Sequence, residues 1–162
     1  MRPEQATRYR TERDPLGEKR VPDDVLYGVQ TLRALETFQI SGLRMDQSLI
    51  TAIAEIKKAA ALAHLESGDL DEKIGKAIVD AAGEIIEGQW REDFVLDVFQ
   101  AGAGTSYNMN ANEVIANRAL ENWGAAAVTM KLSSQTITST IKATSGVTAE
   151  PGRLSRALRD PV

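Results

Sequence analysis

The fold is decided by residues 46–68, which read DQSLITAIAEIKKAAALAHLESG. Apolar residues recur there at steps of four, three, four and three, the spacing of one face of an amphipathic helix. These positions are Leu49, Ile53, Ile56, Ala60 and Ala63. Asp46 or Ser48 is placed to cap the start, and Gly68 stands where a left-handed C-terminal residue belongs. The pattern predicts a helix between Asp46 and Gly68.

A second helix is predicted directly after the first. Residues 69–72 read DLDE, which has the spacing of a capping box, and Gly88 ends the helix. Its apolar stripe consists of Ile74, Ile78, Ala81 and Ile85. Because the turn between the two helices is so short, they must run antiparallel as a helical hairpin.

A third helix is predicted after the glycine-rich stretch 100–106, which reads QAGAGTS. Asn108 or Asn110 is placed to cap it, and Glu113 stands three residues after Asn110, again at capping-box spacing. Its apolar side is formed by Val114, Ile115, Ala119 and Trp123. The preceding run FVLDVF at 94–99 is either a strand or a buried turn. The fold class is therefore mostly α.

The two ends of the chain differ from this helical part. Residues 1–45 show no sustained period and are interrupted by proline and glycine, so we expect an irregular amino-terminal arm. Nine of the sixteen positions 133–148 are Ser or Thr, a composition that disfavours a helix. The sequence thus predicts an arm over 1–45, a helical domain over 46–123 and a Ser/Thr-rich tail over 124–162.

Composition excludes several classes of protein. With 162 residues the chain is long enough for one ordinary domain. It has no cysteine, which excludes a disulfide scaffold, a zinc–thiolate finger and a thiol nucleophile, and its net charge of −4 argues against a nucleic-acid partner. No apolar run is long enough for a membrane span, so a cytoplasmic location is expected.

One stretch favours a binding site, the GAGTS of residues 102–106 ahead of a helix. Glycines let successive N–H groups converge, the helix adds its positive end, and the hydroxyls of Thr105 and Ser106 add donors. Such a turn suits a carboxylate or a phosphate. The alternative is a tight turn packed on a neighbouring helix, in which Thr105 or Ser106 only caps.

Other charged residues are better explained by structure than by chemistry. Helix capping and a solvated face account for the acidic residues Asp69, Asp71, Glu72, Glu84 and Glu87 better than a metal site does. The arginines of the arm either clamp an anion or form surface ion pairs, and they are Arg8, Arg10, Arg13 and Arg20. His64 is expected either to pack against apolar neighbours or to interact with the negative C-terminal end of its helix. Trp90 and Trp123 are expected to be anchors in the core or at an interface. No catalytic residue and no metal ligand is predicted.

Residues 100–119, QAGAGTSYNMNANEVIANRA, resemble the first signature region of the aspartase/fumarase superfamily. The likeness runs from about Arg8 to Glu121 in one register. Other matching stretches are 12–18, 21–22, 27–34 and 38–42, which resemble the amino-terminal arm of these lyases, and 56–61 and 80–86, which resemble their next two helices. The resemblance implies the fold of the N-terminal domain of those enzymes.

The resemblance also implies a function. Ala103 with Ser106 resembles the aspartate ammonia-lyase branch more than the class II fumarases, so the implied reaction is cofactor-free elimination of ammonia from L-aspartate to give fumarate. In the family Thr105 would bind a carboxylate of the dicarboxylic substrate, and Ser106 and Asn108 would stand close to it. The family assembles as a homotetramer.

Two further family segments do not occur in this sequence. They are the mobile loop of the form GSSxMPxKxNP, which carries the basic serine, and an HPNDHVN-like stretch that binds substrate. The expectation is therefore an amino-terminal fragment without a complete site, inactive alone and prone to self-association through exposed helix faces. A class II fumarase fragment and a non-catalytic module that binds a dicarboxylate or docks onto subunits stay open as alternatives.

Overall fold

The computed structural model describes residues 8–124 and residue 141. The predicted tail over 124–162 lies outside the described residues except for Gly124 and Ile141, and Ile141 is buried in the core. In chain order the elements are β1 (Tyr9–Asp14), β2 (Gly17–Pro22), α1 (Val29–Thr37), α2 (Gln47–Ser67), α3 (Glu72–Ile86), a single 3₁₀ turn (Arg91–Asp93) and α4 (Thr105–Trp123). The protein is mostly helical, as predicted. Among the described residues, none of the helices is long and apolar enough to cross a membrane.

Helix α2 begins and ends where its capping residues predict, but it buries a different face. The Asp46 carboxylate accepts a hydrogen bond from the Ser48 amide at 2.8 Å, and Gly68 adopts the left-handed conformation with φ of 77°. Leu49 and Ile56 of the predicted stripe are 45% and 52% exposed, so that part of the prediction is wrong. The buried face is instead formed by Ile50, Ala54, Lys57, Ala59, Ala60, Ala61 and Ala63.

The alanine-rich half of α2 explains this error. Because alanines occur on more than one face of this half, the apolar pattern is compatible with burying either face. Contact with the neighbouring helices then decides which face is buried. The two buried residues of the predicted stripe, Ala60 and Ala63, both lie in that half.

Helices α2 and α3 form the predicted antiparallel hairpin. Gly75, near the start of α3, packs so closely on Leu65, near the end of α2, that an added methyl group would collide with it. Gly83, near the end of α3, lies beside Lys58, earlier in α2, with 3.8 Å between an added methyl group and Lys58 Nζ. The two helices therefore run in opposite directions. Ile78, Ala81 and Ile85 are buried as the predicted stripe requires. The cap is Asp71, which accepts hydrogen bonds from the amides of Lys73 and Ile74, and not Asp69.

Helix α4 starts earlier than predicted. Its N-cap is Gly104 in the left-handed conformation, and Asn108 and Asn110 lie inside the helix, so the prediction that one of them caps it is wrong. Glycine at a turn supplies a positive φ without steric cost, which lets the helix start before any side chain can cap it. The predicted apolar side is confirmed, since Val114, Ile115 and Ala119 are completely buried.

The arm over 1–45 is more regular than predicted. Strands β1 and β2 pair antiparallel from Tyr9–Pro22 to Asp14–Gly17, so this segment is a hairpin, and α1 follows it. The hairpin is polar and buries few side chains, which is why no apolar period reveals it. Arg10 holds the following chain by donating to the carbonyls of Pro22, Val25 and Tyr27. Arg10 is therefore a structural residue.

The start of α1 joins the arm to α4. Glu113 of α4 is 5% exposed and accepts hydrogen bonds from the amides of Gly28, Gln30 and Thr31 at 2.9–3.0 Å. Glu12 of β1 accepts from the amide of Val29 at 2.9 Å. These two carboxylates accept hydrogen bonds from the amides at the start of α1, which have no partner within the helix, and their charge is favourable at its positive end. Burial raises the pKa of Glu113.

The segment 94–99 before α4 is not a strand, and only its first part is buried, since Val98 and Phe99 are 37% and 56% exposed. Phe94 and Leu96 are each 2% exposed. The backbone of Asp97 forms one isolated antiparallel β-bridge with that of Arg44. The Asp97 carboxylate accepts hydrogen bonds from the amides of Phe99, Ser41 and Gly42, which holds its pKa below the usual range. This carboxylate ties residues 40–42 to the approach to α4.

Candidate functional site

Three successive left-handed residues form the turn at the mouth of α4. Gly102, Ala103 and Gly104 have φ of 85°, 50° and 87°. Two of the positions are glycines, for which this conformation is not strained, and Ala103 is a rare non-glycine example. Thr105 closes the turn, because its amide and its hydroxyl both donate to the Gly102 carbonyl, at 3.0 and 2.5 Å.

Three amides in the first turn of α4 already have partners. Besides that of Thr105, the Tyr107 amide donates to Gln100 Oε1 at 3.1 Å and the Asn108 amide to the Gly104 carbonyl at 3.0 Å. In the part of the chain that the structure describes, the amides of Gly102, Ala103, Gly104 and Ser106 donate to no acceptor. Within the described residues, the turn and the start of α4 therefore leave four N–H groups without a protein acceptor near the positive end of the helix.

The structure brings two of the three predicted binding residues onto one face. Thr105 is exposed and Asn108 is half-buried, and residues three apart on a helix are neighbours on its surface. The side chain of Ser106 is two residues from Asn108 and so belongs to a different face. What Ser106 offers beside Thr105 and Asn108 is its backbone N–H.

A lysine that the sequence analysis missed lies behind this face. Lys57 of α2 is 3% exposed, and its Nζ donates to Asn108 Oδ1 at 2.5 Å. Burial lowers the pKa of Lys57 from 10.5 to about 8, so it is mostly an ammonium at neutral pH. The steps from Ile50 through Ala54 and Lys57 to Ala61 are four, three and four, and that spacing is the signal that could have placed Lys57 on the buried face.

Polar side chains continue from Asn108 into the interior along α4. Asn112, one turn further on, is completely buried, and its Oδ1 has no hydrogen-bond partner in the described residues. Asn110 donates to the Asp93 carbonyl at 2.9 Å, but its Oδ1 also lacks a partner there. The amino-terminal half of α4 is therefore polar even where it is buried.

The other charged residues stabilise the fold. Glu84 accepts from Arg118 Nε at 2.5 Å and from Trp90 Nε1 at 2.8 Å, and Arg118 holds the pKa of Glu84 at about 2. Glu72 pairs with Lys76. Capping is thus confirmed for Asp71 and a solvated position for Glu72, whereas the same expectation is wrong for Glu84, whose side chain is half-buried against Arg118. Within the described residues, no group of three or more acidic or histidine side chains is placed to hold a metal.

The chain matches known lyases in sequence and structure. A family model described as Lyase matches residues 17–151. An aspartate ammonia-lyase from a Bacillus species is 57% identical over 118 residues, which are 73% of this chain and 25% of the relative. A class II fumarate hydratase from Thermus thermophilus is 54% identical over 118 residues, or 72% of this chain and 25% of the relative.

A crystal structure supports the same relation. The fumarate lyase:delta crystallin of Brucella melitensis superimposes with a TM-score of 0.72 at 49% identity, covering 76% of this chain and 28% of that one. The chain spans about a quarter of the length of the curated relatives it matches.

Proposed function

The chain belongs to the lyase family of the aspartate ammonia-lyases and class II fumarases, and on that premise we propose that it forms the amino-terminal region of an aspartate ammonia-lyase. The proposed reaction of the whole enzyme is the elimination of ammonia from L-aspartate to give fumarate. In this proposal the mouth of α4 binds one carboxylate of the substrate, while the group that removes the proton lies outside the chain.

One observation carries this proposal, the set of donors at the mouth of α4. The amides of residues 102–104 and of Ser106, together with Asn108 Nδ2, have no acceptor in the described residues, and the exposed Thr105 lies among them in the sequence. A buried ammonium, Lys57, lies directly behind Asn108. Donors at the positive end of a helix with a cation behind them suit a carboxylate.

Thr105 has a conditional role in this site. Its hydroxyl hydrogen is directed to the Gly102 carbonyl, so the oxygen accepts hydrogen bonds until the hydroxyl rotates. On binding a carboxylate we propose that the hydroxyl turns from Gly102 to the ligand. Thr105, Ser106 and Asn108 are thus the proposed substrate-binding residues, and none is proposed to be catalytic.

The family's expected mechanism explains why donors matter here. Removal of a proton from C3 of aspartate leaves negative charge on the adjacent carboxylate, and donors fixed in advance stabilise that charge where it develops. A base must also reach the C3 proton. We propose that this chain supplies donors and no base, so it binds the substrate without converting it.

Absorbance of the product tests that part of the proposal. The purified chain, incubated with L-aspartate, is expected to produce no fumarate above the rate of a chain-free control. Turnover clearly above that background would contradict the proposal. No cofactor is proposed, and the cytoplasmic location stays a prediction.

A class II fumarase region is the alternative, since both kinds of relative match a similar part of the chain. The pair Ala103 and Ser106 favours the aspartate enzyme. Competition against fumarate distinguishes the two, because an aspartase region should bind L-aspartate more tightly than L-malate. The reverse order would favour the fumarase alternative.

A non-catalytic docking module is the second candidate function. It is favoured by apolar side chains that are exposed on one face of α2, Leu49 and Ile56. Their seven-residue separation places them on the same face, where a second helix can pack. We propose that this face packs on full-length subunits and that the isolated chain self-associates through it.

A further inference from the structure

We infer that Lys57 is a positioning residue of the anion site, whose ammonium fixes the Asn108 side chain with Oδ1 toward α2 and Nδ2 toward the ligand. This inference rests on the proposed carboxylate site and adds to it a residue on a different helix. Lys57 itself is not proposed to touch the ligand.

The chemistry of the two groups sets the orientation of the amide. An ammonium can only donate hydrogen bonds, so a contact of 2.5 Å from Lys57 Nζ to the Asn108 side chain requires the oxygen end. The amide nitrogen then faces away from Lys57. Because Asn108 Nδ2 has no acceptor in the described part of the chain, its hydrogens are available to a carboxylate.

Burial makes this orientation rigid. Lys57 is 3% exposed, and its neighbours one turn away on the same face of α2, Ala54 and Ala61, are 1% and 0% exposed. On α4, Asn112 is completely buried one turn beyond Asn108. A side chain enclosed in this way keeps one position, so the amide is oriented before a ligand arrives.

The same burial separates a positioning role from a structural one. Removing an ammonium from water disfavours the folded state, which agrees with the lowered pKa of Lys57. Replacing it with an uncharged side chain of similar shape removes that cost but also removes the donor to Asn108 Oδ1, so stability should stay close to that of the wild type. A residue that only stabilised the fold would show a clear loss of stability.

Chemical replacement of the charge gives the sharpest test. The chain has no cysteine, so Lys57→Cys places a unique thiol there. Alkylation in denaturant with 2-bromoethylamine, followed by refolding, restores an ammonium at nearly the length of lysine, while 1-bromopropane gives an uncharged side chain of the same length. Lys58→Cys alkylated with 1-bromopropane is the matched control one residue away.

Fumarate affinity, measured by titration calorimetry, is the readout. The wild type, the aminoethyl form and the Lys58 control are expected to bind equally, and the propyl form about tenfold more weakly, as loss of a charge-oriented hydrogen bond predicts. Equal binding by the propyl form would overturn the inference and leave the carboxylate site standing. Absence of binding by the folded wild type would overturn both.

A double-mutant cycle tests whether Lys57 acts through Asn108. Lys57→Met, which needs no chemistry, should weaken fumarate binding in the wild type about tenfold and in the Asn108→Ala background hardly at all. Equal losses in the two backgrounds would overturn the positioning role, because the charge would then act on the ligand directly. Urea unfolding of Lys57→Met should show a stability close to that of the wild type, and a large loss would likewise contradict the inference.

Discussion

The first turn of α4 and the part from Glu113 onward use their polar groups in different ways. From Glu113 onward, Glu113 accepts hydrogen bonds from three amides at the start of α1 and Arg118 pairs with Glu84, while Val114 and Ile115 are completely buried. In the first turn, Thr105 is exposed, and the Ser106 amide has no acceptor among the described residues. The polar side chains from Glu113 onward are therefore paired within the protein, whereas donors in the first turn are available to water or a ligand.

This difference indicates that one part of α4 contributes to binding and another to the stability of the fold. Unpaired donors cost little at a helix mouth that water reaches, whereas the same donors would be expensive beside Glu113. Substitutions from Glu113 onward should therefore change folding, and substitutions at the first turn should change binding. The first experiments below test this division, and the last one tests the exposed face of α2.

Loss of Glu113 should have the largest effect on folding. Glu113→Ala leaves the amides of Gly28, Gln30 and Thr31 without their acceptor in a buried place. The free energy of unfolding, measured with urea and circular dichroism, should fall by about 3 kcal/mol or more. Glu121→Ala, at an exposed partner of Arg118, is the control and should cost well under 1 kcal/mol. Similar losses for the two variants would contradict the role of Glu113.

Glu84 should make stability depend on pH in the acid range. Its pKa is lowered from 4.5 to about 2, so its ionised form stabilises the folded state fully above the unfolded value, and this contribution is lost as pH falls from about 5 to about 2. Glu84→Gln should therefore be less stable than the wild type by about 1–3 kcal/mol at neutral pH, with a difference that disappears near pH 2.

The exposed pair Glu72–Lys76 is the control for that experiment. Glu72→Gln should show little difference from the wild type at any pH, because solvent screens exposed ion pairs. A difference for Glu84→Gln that stays constant from neutral to acid pH would contradict the assigned pKa.

Thr105 should matter for binding and little for folding. Thr105→Ala removes an exposed hydroxyl, so fumarate affinity should fall about tenfold while the free energy of unfolding changes by less than about 1 kcal/mol. Thr37→Ala is the matched control, since Thr37 is also exposed and its hydroxyl also donates to a backbone carbonyl, that of Arg33. Equal affinity in both variants would remove Thr105 from the site.

The exposed face of α2 should have the smallest effect on folding and a visible one on assembly. Sedimentation equilibrium of the chain should show concentration-dependent association, and the double variant Leu49→Glu, Ile56→Glu should shift it toward monomer. Its unfolding free energy should stay within about 0.5 kcal/mol of the wild type. A wild type that is monomeric at high concentration would contradict the proposed docking role.

Local signals predicted the helices well. Asp46 and Gly68 bound α2 as their capping chemistry indicates, and the stripe from Ile78 to Ile85 is the buried face of α3. These features depend on residues close together in the sequence, so spacing alone reveals them. The resemblance of residues 100–119 identified the family.

What the sequence did not reveal depends on contacts between distant residues. The exposed position of Ile56 and the buried one of Lys57 are decided by how α2 packs, and an alanine-rich helix leaves that open. The hairpin of the arm is polar, and its ends are held by Arg10. The contact from Lys57 to Asn108 joins residues 51 positions apart, which no local pattern can show.

We propose that the first turn of α4 binds a dicarboxylate. Titration of the isotope-labelled chain with fumarate, followed by nuclear magnetic resonance, can locate the binding site residue by residue. We expect saturable shifts of the Ser106 backbone amide and the Asn108 side-chain amide, with the amides around Arg118 unmoved. Shifts centred on the second half of α4, or none at a folded first turn, would contradict it.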